Sequence, residues 1–395
     1  MKKLNNSNVL FVTHSITSSP KDEWIDFLKQ RCKRLVCIDH PFSYIKDDIR
    51  SSFAVYEHGK LIKKGICHCP ANGRFSEFIF LLRDFILNIV WGLKAGKIDL
   101  CISLDPFNTF CMLLLRKIGR INKLIYYVID YVPVRFLNKV KNSIYHFVDR
   151  RCCYNVDLIW NLSTRMQDGR EINGVNLKKC APSLIVPMGV DLSRIKPFEF
   201  SEIERQTIVY MGAFLHKQGI QLVLSVISDL IKDIPKLKFV IIGLGKYEKD
   251  MRKLINELKI EKYVDIKGYI KGHAQVEQIL CKCAVGMATY RIEEDSFSYY
   301  ADPGKVKVYL GCGLPVIITK FPLIAYKIEE EDAGYAIEYS AKELKEALLK
   351  LLTDDELYQK MRANAIKMSK DYNWNDICKR ALSESCVDIG EEKIG

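Results

Sequence analysis

The chain has 395 residues, of which 48% are hydrophobic and 27% are charged. This composition excludes a disordered or fibrous protein, and the length favours two domains of roughly 200 residues over one core. The net charge of +12 is unevenly distributed: residues 1–190 contain 29 Lys and Arg against 16 Asp and Glu, whereas residues 191–395 contain 31 against 32. The N-terminal half therefore carries the whole positive excess.

By charge alone, the basic half favours an anionic partner, such as a membrane surface, a lipid phosphate, an acidic glycan or nucleic acid. A lysine-rich solvated surface explains the excess equally well, and we expect no nucleic-acid partner. The first residues contain no signal-peptide pattern, so we expect a cytoplasmic protein whose 14 cysteines are reduced. No cysteine pair is followed by a second pair at zinc-site spacing, so a metal site is not indicated.

Strand-length apolar runs alternate with helical patterns in the first half. Predicted strands cover residues 8–13, 34–38, 100–104, 124–129, 157–162 and 184–186, and predicted helices cover 21–30, 76–95, 109–119 and 140–153. This alternation is typical of a parallel sheet with helices on both faces. The apolar run 78–93 is too short to span a bilayer and is interrupted by Arg83 and Asp84. Packing on the core is the prediction for this helix, and shallow membrane contact is the alternative.

The second half repeats the plan. Predicted strands cover residues 207–211, 238–242, 264–267, 284–288 and 316–319, and predicted helices cover 219–232, 247–258, 276–283, 305–312 and 374–385. The sequence thus predicts an α/β protein with two doubly wound Rossmann-like domains, residues 1–188 and 189–372, and a terminal helix in 373–395. In open parallel sheets, ligands bind beyond the carboxyl ends of the strands.

Two glycine-containing turns follow predicted strands. In residues 210–219 (YMGAFLHKQG), Gly212 turns the chain and Lys217 precedes a helix start. Helix N–H groups and an ammonium group together favour a diphosphate, although Lys217 could equally be solvated. In residues 241–245 (IIGLG), the third glycine of a nicotinamide-cofactor motif is replaced by Glu248, so that cofactor is not indicated.

Residues 302–319 (DPGKVKVYLGCGLPVIIT) carry the strongest signal. Pro303 and Gly304 form a turn before a helix whose first turns contain Lys305 and Lys307. Cations near a helix N-terminus are unfavourable unless an anion offsets them, so these lysines indicate an anionic ligand. A plain helix–strand connection is the alternative.

Together these segments resemble the glycosyltransferase group 1 domain, a GT-4-like family with the GT-B fold of two domains facing a cleft. The matching segments are G-x4-K-x-G at 212–219, IIGLG at 241–245, DIKGYI at 265–270, residues 284–288 followed by Tyr290, P-x-K-x3-YL-x2-G-x-PVI at 303–317, and GVD at 189–191. Residues 126–136 and 157–165 resemble a bacterial polysaccharide-synthesis branch of the family.

The resemblance implies a nucleotide-sugar donor and a set of residues that bind it. The donor-binding residues that it implies are Gly212, His216, Lys217, Gly243, Gly268, Tyr269, Ile270, Tyr290, Asp302, Pro303, Gly304 and Lys305. Lys217 and the backbone at Gly212 would bind the diphosphate, residues 268–270 would lie against the base, and Lys305 would contact phosphate or sugar. The terminal helix, which begins at Trp374, would cross back to the N-terminal domain.

The chain departs from the family pattern at two places in its second half. Ala213 stands where many members have an arginine, so one phosphate contact is missing or comes from elsewhere. Tyr300 and Val308 stand at the positions of the family's Glu-x7-Glu pair, so the ribose contacts must differ.

Asp130 is the best catalytic candidate, because it follows an apolar strand and a carboxylate can take the proton of an acceptor hydroxyl. A retaining enzyme needs no such base, so the stereochemistry stays open. A structural ion pair between Asp130 and Arg135 is the alternative. Asp105, after the strand at 100–104, is a weaker acceptor-side candidate, and Arg135 is grouped with it.

The sequence therefore predicts a glycosyltransferase that moves a sugar from a nucleotide-sugar to a lipid-linked or polysaccharide acceptor in cell-surface glycan biosynthesis. Peripheral contact with an anionic membrane, at the inner face of the cytoplasmic membrane, is expected from the basic half. No D-x-D motif occurs, so no metal or other cofactor is expected, and lysines and helix N-termini would neutralise the leaving group. A nucleotide-sugar epimerase on the same fold and a non-catalytic nucleotide-sugar-binding protein are the alternatives.

Overall fold

A computed structural model describes residues 3–15, 20–41, 50–67, 77–292 and 297–389. The chain divides into two compact units, each of which is described by itself. Unit 1 consists of Met1–Pro187 and Asn375–Gly395, and unit 2 consists of Met188–Trp374.

The described part of unit 1 contains an eight-stranded sheet with the order β4-β3-β2-β1-β5-β6-β7-β8. Its strands are β1 (Asn8–Ser15), β2 (Arg34–Pro41), β3 (Ser52–Glu57), β4 (Lys60–Ile66), β5 (Ile98–Leu104), β6 (Ile121–Val128), β7 (Leu158–Asn161) and β8 (Ser183–Ile185). Neighbouring strands are parallel except at β2–β3 and β3–β4, which are antiparallel. This edge hairpin was not predicted, because β4 is rich in lysine and mostly exposed, as edge strands often are.

The helices of unit 1 are α1 (Lys21–Arg31), α2 (Glu77–Ala95), α3 (Pro106–Lys117), α4 (Lys139–Asn155) and α5 (Arg165–Ile172), and the C-terminal helix α14 (Trp374–Glu384) belongs to this unit from Asn375 onward. Trp24 of α1 stacks on Trp160 of β7 with ring centroids 5.0 Å apart. The indole N–H of Trp160 donates a hydrogen bond to Ser385 Oγ at 2.9 Å, just after α14. These contacts place the chain terminus against the core of unit 1.

The predicted core packing of helix α2 is present at Phe80 and Trp91, which are buried, but not along the rest of its apolar surface. Its apolar residues Phe78, Leu82 and Ile86 are exposed, whereas Asp84 and Asn88 are buried. The prediction that its apolar face packs on the core is therefore wrong for these positions, because hydrogen-bonding partners on β2 and α3 draw the polar residues inward. Nowhere in the described ranges is a helix both long enough and apolar enough to cross a membrane.

The described part of unit 2 contains a six-stranded sheet with the order β11-β10-β9-β12-β13-β14, in which all neighbours are parallel. Its strands are β9 (Glu204–Met211), β10 (Lys238–Ile242), β11 (Val264–Gly268), β12 (Cys283–Ala288), β13 (Val316–Thr319) and β14 (Gly334–Ile337). Its helices are α6 (Ile220–Asp233), α7 (Glu248–Glu257), α8 (His273–Lys282), α9 (Phe297–Tyr300), α10 (Gly304–Gly311), α11 (Ile324–Glu330), α12 (Ala341–Thr353) and α13 (Asp355–Ser369). The interpretation of 316–319 as the last strand was wrong, because the short segment β14 adds one more.

Each sheet has one topological switch point, at which the order of successive strands reverses its direction across the sheet. In unit 1 the chain moves from β1 outward to β2 and, on the other side, from β5 outward to β6; in unit 2 the same reversal lies between β9 and β12. Ligands of open α/β sheets bind at the carboxyl ends of the two strands that flank such a point. We call these places the β1/β5 edge and the β9/β12 edge.

Candidate functional site

Lys305 is the central side chain of the β9/β12 edge. Its ammonium group donates a hydrogen bond to Gln218 Oε1 at 2.7 Å and lies 4.3 Å from the ring centroid of Tyr210 and 4.9 Å from that of Tyr290. A Cβ atom added to Gly212 would come within 3.3 Å of Lys305 Nζ. The glycine after β9 therefore leaves the ammonium group accessible from the backbone side.

The charge of Lys305 is not neutralised by an acidic side chain among the described residues. The residue is half-buried, and desolvation lowers the pKa of its ammonium group to about 7. Beside it, the buried Tyr290 hydroxyl has no hydrogen-bond partner in the part of the chain that the structure describes, and burial raises the pKa of this hydroxyl. An ammonium group and a phenol hydroxyl together present donors to an oxygen-rich anion.

The charge of Lys307, in contrast, is neutralised within the protein. It forms an ion pair with Asp302, whose other carboxylate oxygen accepts a hydrogen bond from the backbone N–H of Met188 at 2.9 Å. Burial lowers the pKa of Lys307, although the charge of Asp302 opposes the shift. Of the two lysines near the N-terminus of α10, only Lys305 therefore indicates an anionic ligand. Asp302 instead makes structural contacts with Lys307 and with the start of unit 2.

Helix α10 begins at Gly304 with Pro303 as its N-cap, and no side chain caps it. The first N–H groups of such a helix lack partners within the helix and carry a partial positive charge. Tyr309, one turn further, accepts a hydrogen bond from Met211 N at 2.7 Å. This contact ties α10 to the end of β9 and so fixes Lys305 relative to Gly212.

The loop between β9 and α6 carries His216 and Lys217. Lys217 Nζ lies 3.5 Å from the ring centroid of Phe297, and the ring of His216 contacts Arg291 Nη1 at 3.0 Å. Gln218 and Arg291 were not predicted as site residues. Their sequence signal is positional: Gln218 stands inside the G-x4-K-x-G motif, and Arg291 directly follows Tyr290.

Two glycines of this edge are required by close backbone approaches. Gly219 has φ +76°, and an added Cβ would come within 1.5 Å of the carbonyl oxygen of Thr289. Gly243 has φ +142°, and an added Cβ would come within 1.9 Å of the carbonyl oxygen of Gly212. Gly243 N also donates to the carbonyl oxygen of Gly268 at 2.9 Å. The loops after β9, β10, β11 and β12 therefore meet at one edge.

Residues 268–270 lie at the end of β11 and in the loop that follows it. Tyr269 is exposed and Ile270 is half-buried. An exposed aromatic ring beside an apolar side chain can stack on a planar base.

In unit 1, Asp130 follows β6 and is paired. Its carboxylate lies 2.5 Å from Arg135 Nη1, and Arg135 also donates to the Asp130 carbonyl oxygen at 3.3 Å. The ion pair considered from the sequence is present, and both side chains keep about a quarter to a third of their surface.

Asp105 lies at the β1/β5 edge and caps helix α3. Its Oδ1 atom accepts a hydrogen bond from Asn108 N at 2.9 Å, and its Oδ2 atom lies 2.6 Å from His14 Nδ1 at the end of β1. Asp105 has φ +64° and ψ 156°, a conformation that is otherwise almost confined to glycine. His14 was not predicted, although it directly follows the predicted strand 8–13.

A buried polar network supports His14. Its Nε2 atom lies 3.7 Å from Asp84, which is also 3.3 Å from His40 and 2.7 Å from Arg83. Burial alone would lower the pKa of His14, but the charges of Asp105 and Asp84 outweigh it and raise the pKa to about 10. Burial alone would raise the pKa of Asp84, but His14, His40 and Arg83 hold it well below its usual range.

Comparison with known proteins assigns the second half of the chain. Residues 205–354 match the family model of the glycosyl transferases group 1. This part of the chain is a glycosyltransferase group 1 domain. A chitobiosyldiphosphodolichol beta-mannosyltransferase of Kluyveromyces lactis is 24% identical over 50% of this chain and 42% of its own length. An uncharacterized glycosyltransferase of Methanocaldococcus jannaschii is 26% identical over 55% of this chain and 54% of its own length, so the match spans about half the length of these relatives.

The fold of the whole chain is similar to that of GT-B glycosyltransferases. The crystal structure of Anabaena HepE in complex with UDP matches with a TM-score of 0.69 and 15% identity, covering 96% of this chain and 99% of that protein. The predicted fold and the predicted family of the second half are thereby confirmed, and these matches give no support to the epimerase alternative.

Proposed function

We propose that the chain is a glycosyltransferase that moves a sugar from a nucleotide-sugar to a lipid-linked or polysaccharide acceptor. The observation that carries this proposal is Lys305. Its ammonium group lies at the β9/β12 edge with no acidic partner among the described residues, next to the uncapped N-terminus of α10. A diphosphate supplies the missing negative charge.

The donor site uses the loops of unit 2. Lys305 and the α10 N-terminus bind the diphosphate, together with Lys217 and the backbone at Gly212. The hydroxyl of Tyr290 donates to a donor oxygen, and residues 268–270 lie against the base. Arg291, whose guanidinium group contacts the ring of His216, adds a further cation to this site. Because the HepE structure holds UDP, uridine nucleotides are the first donors to test.

In the reaction, an acceptor oxygen forms a bond to the anomeric carbon of the donor sugar. The bond between that carbon and the phosphate oxygen breaks, and its electron pair leaves with the nucleoside diphosphate. Lys305 and the α10 N–H groups stabilise the charge that develops on the leaving group. Asp130 is the proposed acceptor of the hydroxyl proton in an inverting reaction, after release from Arg135. No metal or other cofactor is part of the proposal.

The experiment is a transfer assay of the full chain with a panel of uridine, guanosine and thymidine diphosphate sugars and a bacterial lipid extract. We expect a labelled sugar to enter the lipid or polysaccharide fraction with release of nucleoside diphosphate. Conversion of the donor sugar without an acceptor would support the epimerase alternative. Donor binding without either reaction would support the non-catalytic binding protein.

We further propose that unit 1 contacts an anionic membrane, at the inner face of the cytoplasmic membrane. Helix α4 exposes Val140, Ile144 and Phe147 in one stripe, and Lys139 and Arg150 border it. The acidic residue of this helix, Asp149, is buried and paired with Arg170 at 3.0 Å. The exposed face thus combines apolar anchors with cations, which is typical of an interfacial helix.

Flotation with phosphatidylglycerol vesicles tests this contact. We expect binding that weakens in 0.5 M salt and falls roughly tenfold in the variant Ile144→Ser with Phe147→Ser, since two apolar anchors are lost. Ile172→Ser, which removes another exposed apolar side chain of unit 1, on α5, is the control. Equal binding of phosphatidylcholine vesicles, or an unchanged variant, would contradict the proposal.

A further inference from the structure

Two thiol groups of unit 1 meet where helix α4 contacts the segment before β8. Cys153 lies in α4 and is fully buried, whereas Cys180 is partly exposed. The backbone N–H of Ala181 donates a hydrogen bond to the carbonyl oxygen of Cys153 at 2.8 Å, so the two backbone segments are adjacent. The two thiol groups are also hydrogen-bonded to each other. Cysteines that are adjacent in this way can form a disulfide with little movement of the backbone.

The surroundings of the two thiols favour a reactive thiolate on Cys180. The hydrogen bond from Cys153 lowers the pKa of Cys180, although partial burial opposes this shift. Burial raises the pKa of Cys153 well above its ordinary value. Cys180 is therefore a nucleophile open to solvent, and Cys153 stays protonated beside it. A partly exposed thiolate next to a second cysteine is the arrangement of a redox-sensitive site.

Asp149 offers a proton acceptor to Cys153. The Sγ atom of Cys153 lies 3.8 Å from Asp149 Oδ2, and its single S–H can point to this carboxylate or to Cys180. The buried Asp149 carboxylate also accepts hydrogen bonds from Tyr126 at 2.8 Å and from Arg170 at 3.0 Å. Loss of the thiol hydrogen would leave this carboxylate paired, so a disulfide at Cys153 strands no buried charge.

Other cysteines of the chain lack part of this arrangement. Cys152 is fully buried, and its S–H donates to the carbonyl oxygen of Pro106 at 3.2 Å. Cys281 and Cys312 of unit 2 are hydrogen-bonded to each other, but their exposed fractions are only 3% and 0%. This second pair has the proximity without the access to solvent. It is therefore an internal control for a reagent that must reach the thiol from solution.

We propose that Cys180 and Cys153 form a reversible, peroxide-sensitive disulfide, in which Cys180 reacts first and Cys153 resolves the intermediate. The Cys180 thiolate attacks one oxygen of hydrogen peroxide, the O–O bond breaks, and the leaving hydroxide takes up a proton to become water. Asp149 then takes the proton of Cys153, whose sulfur attacks the sulfenic acid on Cys180. The S–S bond forms, the S–O bond breaks, and the second hydroxide recovers the proton from Asp149 as water. Two thiols are thereby oxidised, and one peroxide is reduced to two waters.

The disulfide would close a loop, residues 153–180, that contains β7 and α5. A cross-link of this kind constrains the unfolded chain and so stabilises the folded state. Strand β8, which pairs with β7 at the edge of the described sheet, begins three residues after Cys180. Oxidation would thus hold this edge of unit 1 in place. The inference goes beyond the proposed transfer reaction and does not depend on it.

The test treats the full chain with hydrogen peroxide under native conditions, blocks the remaining thiols with N-ethylmaleimide and maps unreduced peptides by mass spectrometry. We expect a peptide pair joined through Cys153 and Cys180 that dithiothreitol separates. The melting temperature of the oxidised protein should rise by roughly 5 °C or more. Cys180→Ser should prevent both effects, whereas Cys153→Ser should leave a sulfenic acid on Cys180 that dimedone labels. Cys386→Ser, which removes an exposed cysteine, is the control and should behave as wild type.

Three outcomes would overturn the inference. In the first, Cys180 of the native protein is oxidised beyond the sulfenic acid without any link to Cys153. In the second, Cys281 and Cys312 become cross-linked to the same extent, which would mean that the reagent had opened the fold. In the third, the disulfide forms but the melting temperature does not rise, which would refute the stabilisation of this edge. If the buried substitution Cys153→Ser prevents folding, Cys180→Ser at the partly exposed position decides alone.

Discussion

The two sheet edges share one topology but differ in chemistry. The β9/β12 edge of unit 2 presents an ammonium group between two tyrosine rings and lacks an acidic partner among the described residues. The β1/β5 edge of unit 1 presents carboxylates and imidazoles that already pair with one another. The first arrangement suits an anion, whereas the opposite charges of the second arrangement offset one another. The same backbone plan thus offers two different sites, and only the side chains after the strands distinguish them.

The largest expected effect concerns Asp130. If it accepts the hydroxyl proton, Asp130→Asn should lower turnover about 100-fold or more while donor binding stays intact, because general-base catalysis contributes roughly 10²–10⁴. Steady-state transfer and donor titration measure the two quantities. Arg135→Ala is the companion variant. If both variants lose the same free energy of unfolding and keep normal turnover, Asp130 only forms a structural ion pair with Arg135. The proposal that Asp130 accepts the hydroxyl proton would then be wrong.

Lys305 should produce the next largest effect. Lys305→Ala removes a charge-assisted contact and should weaken donor binding by roughly 1.5–3 kcal/mol. Calorimetric titration with the active nucleotide-sugar measures this loss. Lys360→Ala, which removes a surface lysine paired with Asp332 in the same unit, should leave the affinity unchanged. Unchanged affinity in folded Lys305→Ala would remove the anion site from the β9/β12 edge.

Donor binding should also depend on pH through Lys305. Because its pKa is lowered to about 7, the free protein loses this charge as pH rises above 7, and the diphosphate must restore it by proton uptake. Affinity should therefore fall by up to about tenfold per pH unit above 7, and less in Lys305→Ala. Titrations in buffers of different ionisation enthalpy detect the bound proton. A binding enthalpy that is independent of the buffer would contradict this coupling.

The sequence patterns predicted the site residues of the second half of the chain more completely than those of the first half. The glycines and Lys305 lie in one contiguous motif, so their spacing could be read directly. The β1/β5 edge is assembled from residues 14, 40, 84 and 105. The pairing of β1 with β2 and β5 brings the first, second and fourth together, and the packing of α2 adds residue 84. The inward turn of Asp84 and Asn88 on α2 could not be predicted either, because their partners are distant in sequence and the apolar spacing favoured the opposite face.

The smallest expected effects are opposite shifts of stability with pH at the two edges. The pKa of His14 is raised to about 10 from an ordinary value near 6.5, so the folded state binds more protons than the unfolded state between these values. Its stabilising contribution is complete below pH 6.5 and is lost as pH rises toward 10. The pKa of Lys305 is lowered to about 7, so its contribution has the opposite sign and stability is gained as pH rises from 7 toward 10.5.

Urea unfolding of wild type, His14→Gln and Lys305→Met at pH 7, 8 and 9 separates the two contributions. As pH rises, the loss in free energy of unfolding caused by His14→Gln should become smaller. Lys305→Met removes a buried ammonium group that opposes folding near pH 7, so its gain in free energy of unfolding should also become smaller. Each slope is at most about 1.4 kcal/mol per pH unit, and solvent screening reduces it. Parallel pH profiles for all three proteins would mean that neither group titrates in this range. In that case the shifted pKa values of His14 and Lys305 would be wrong, and the two edges would no longer differ in how their charges respond to pH.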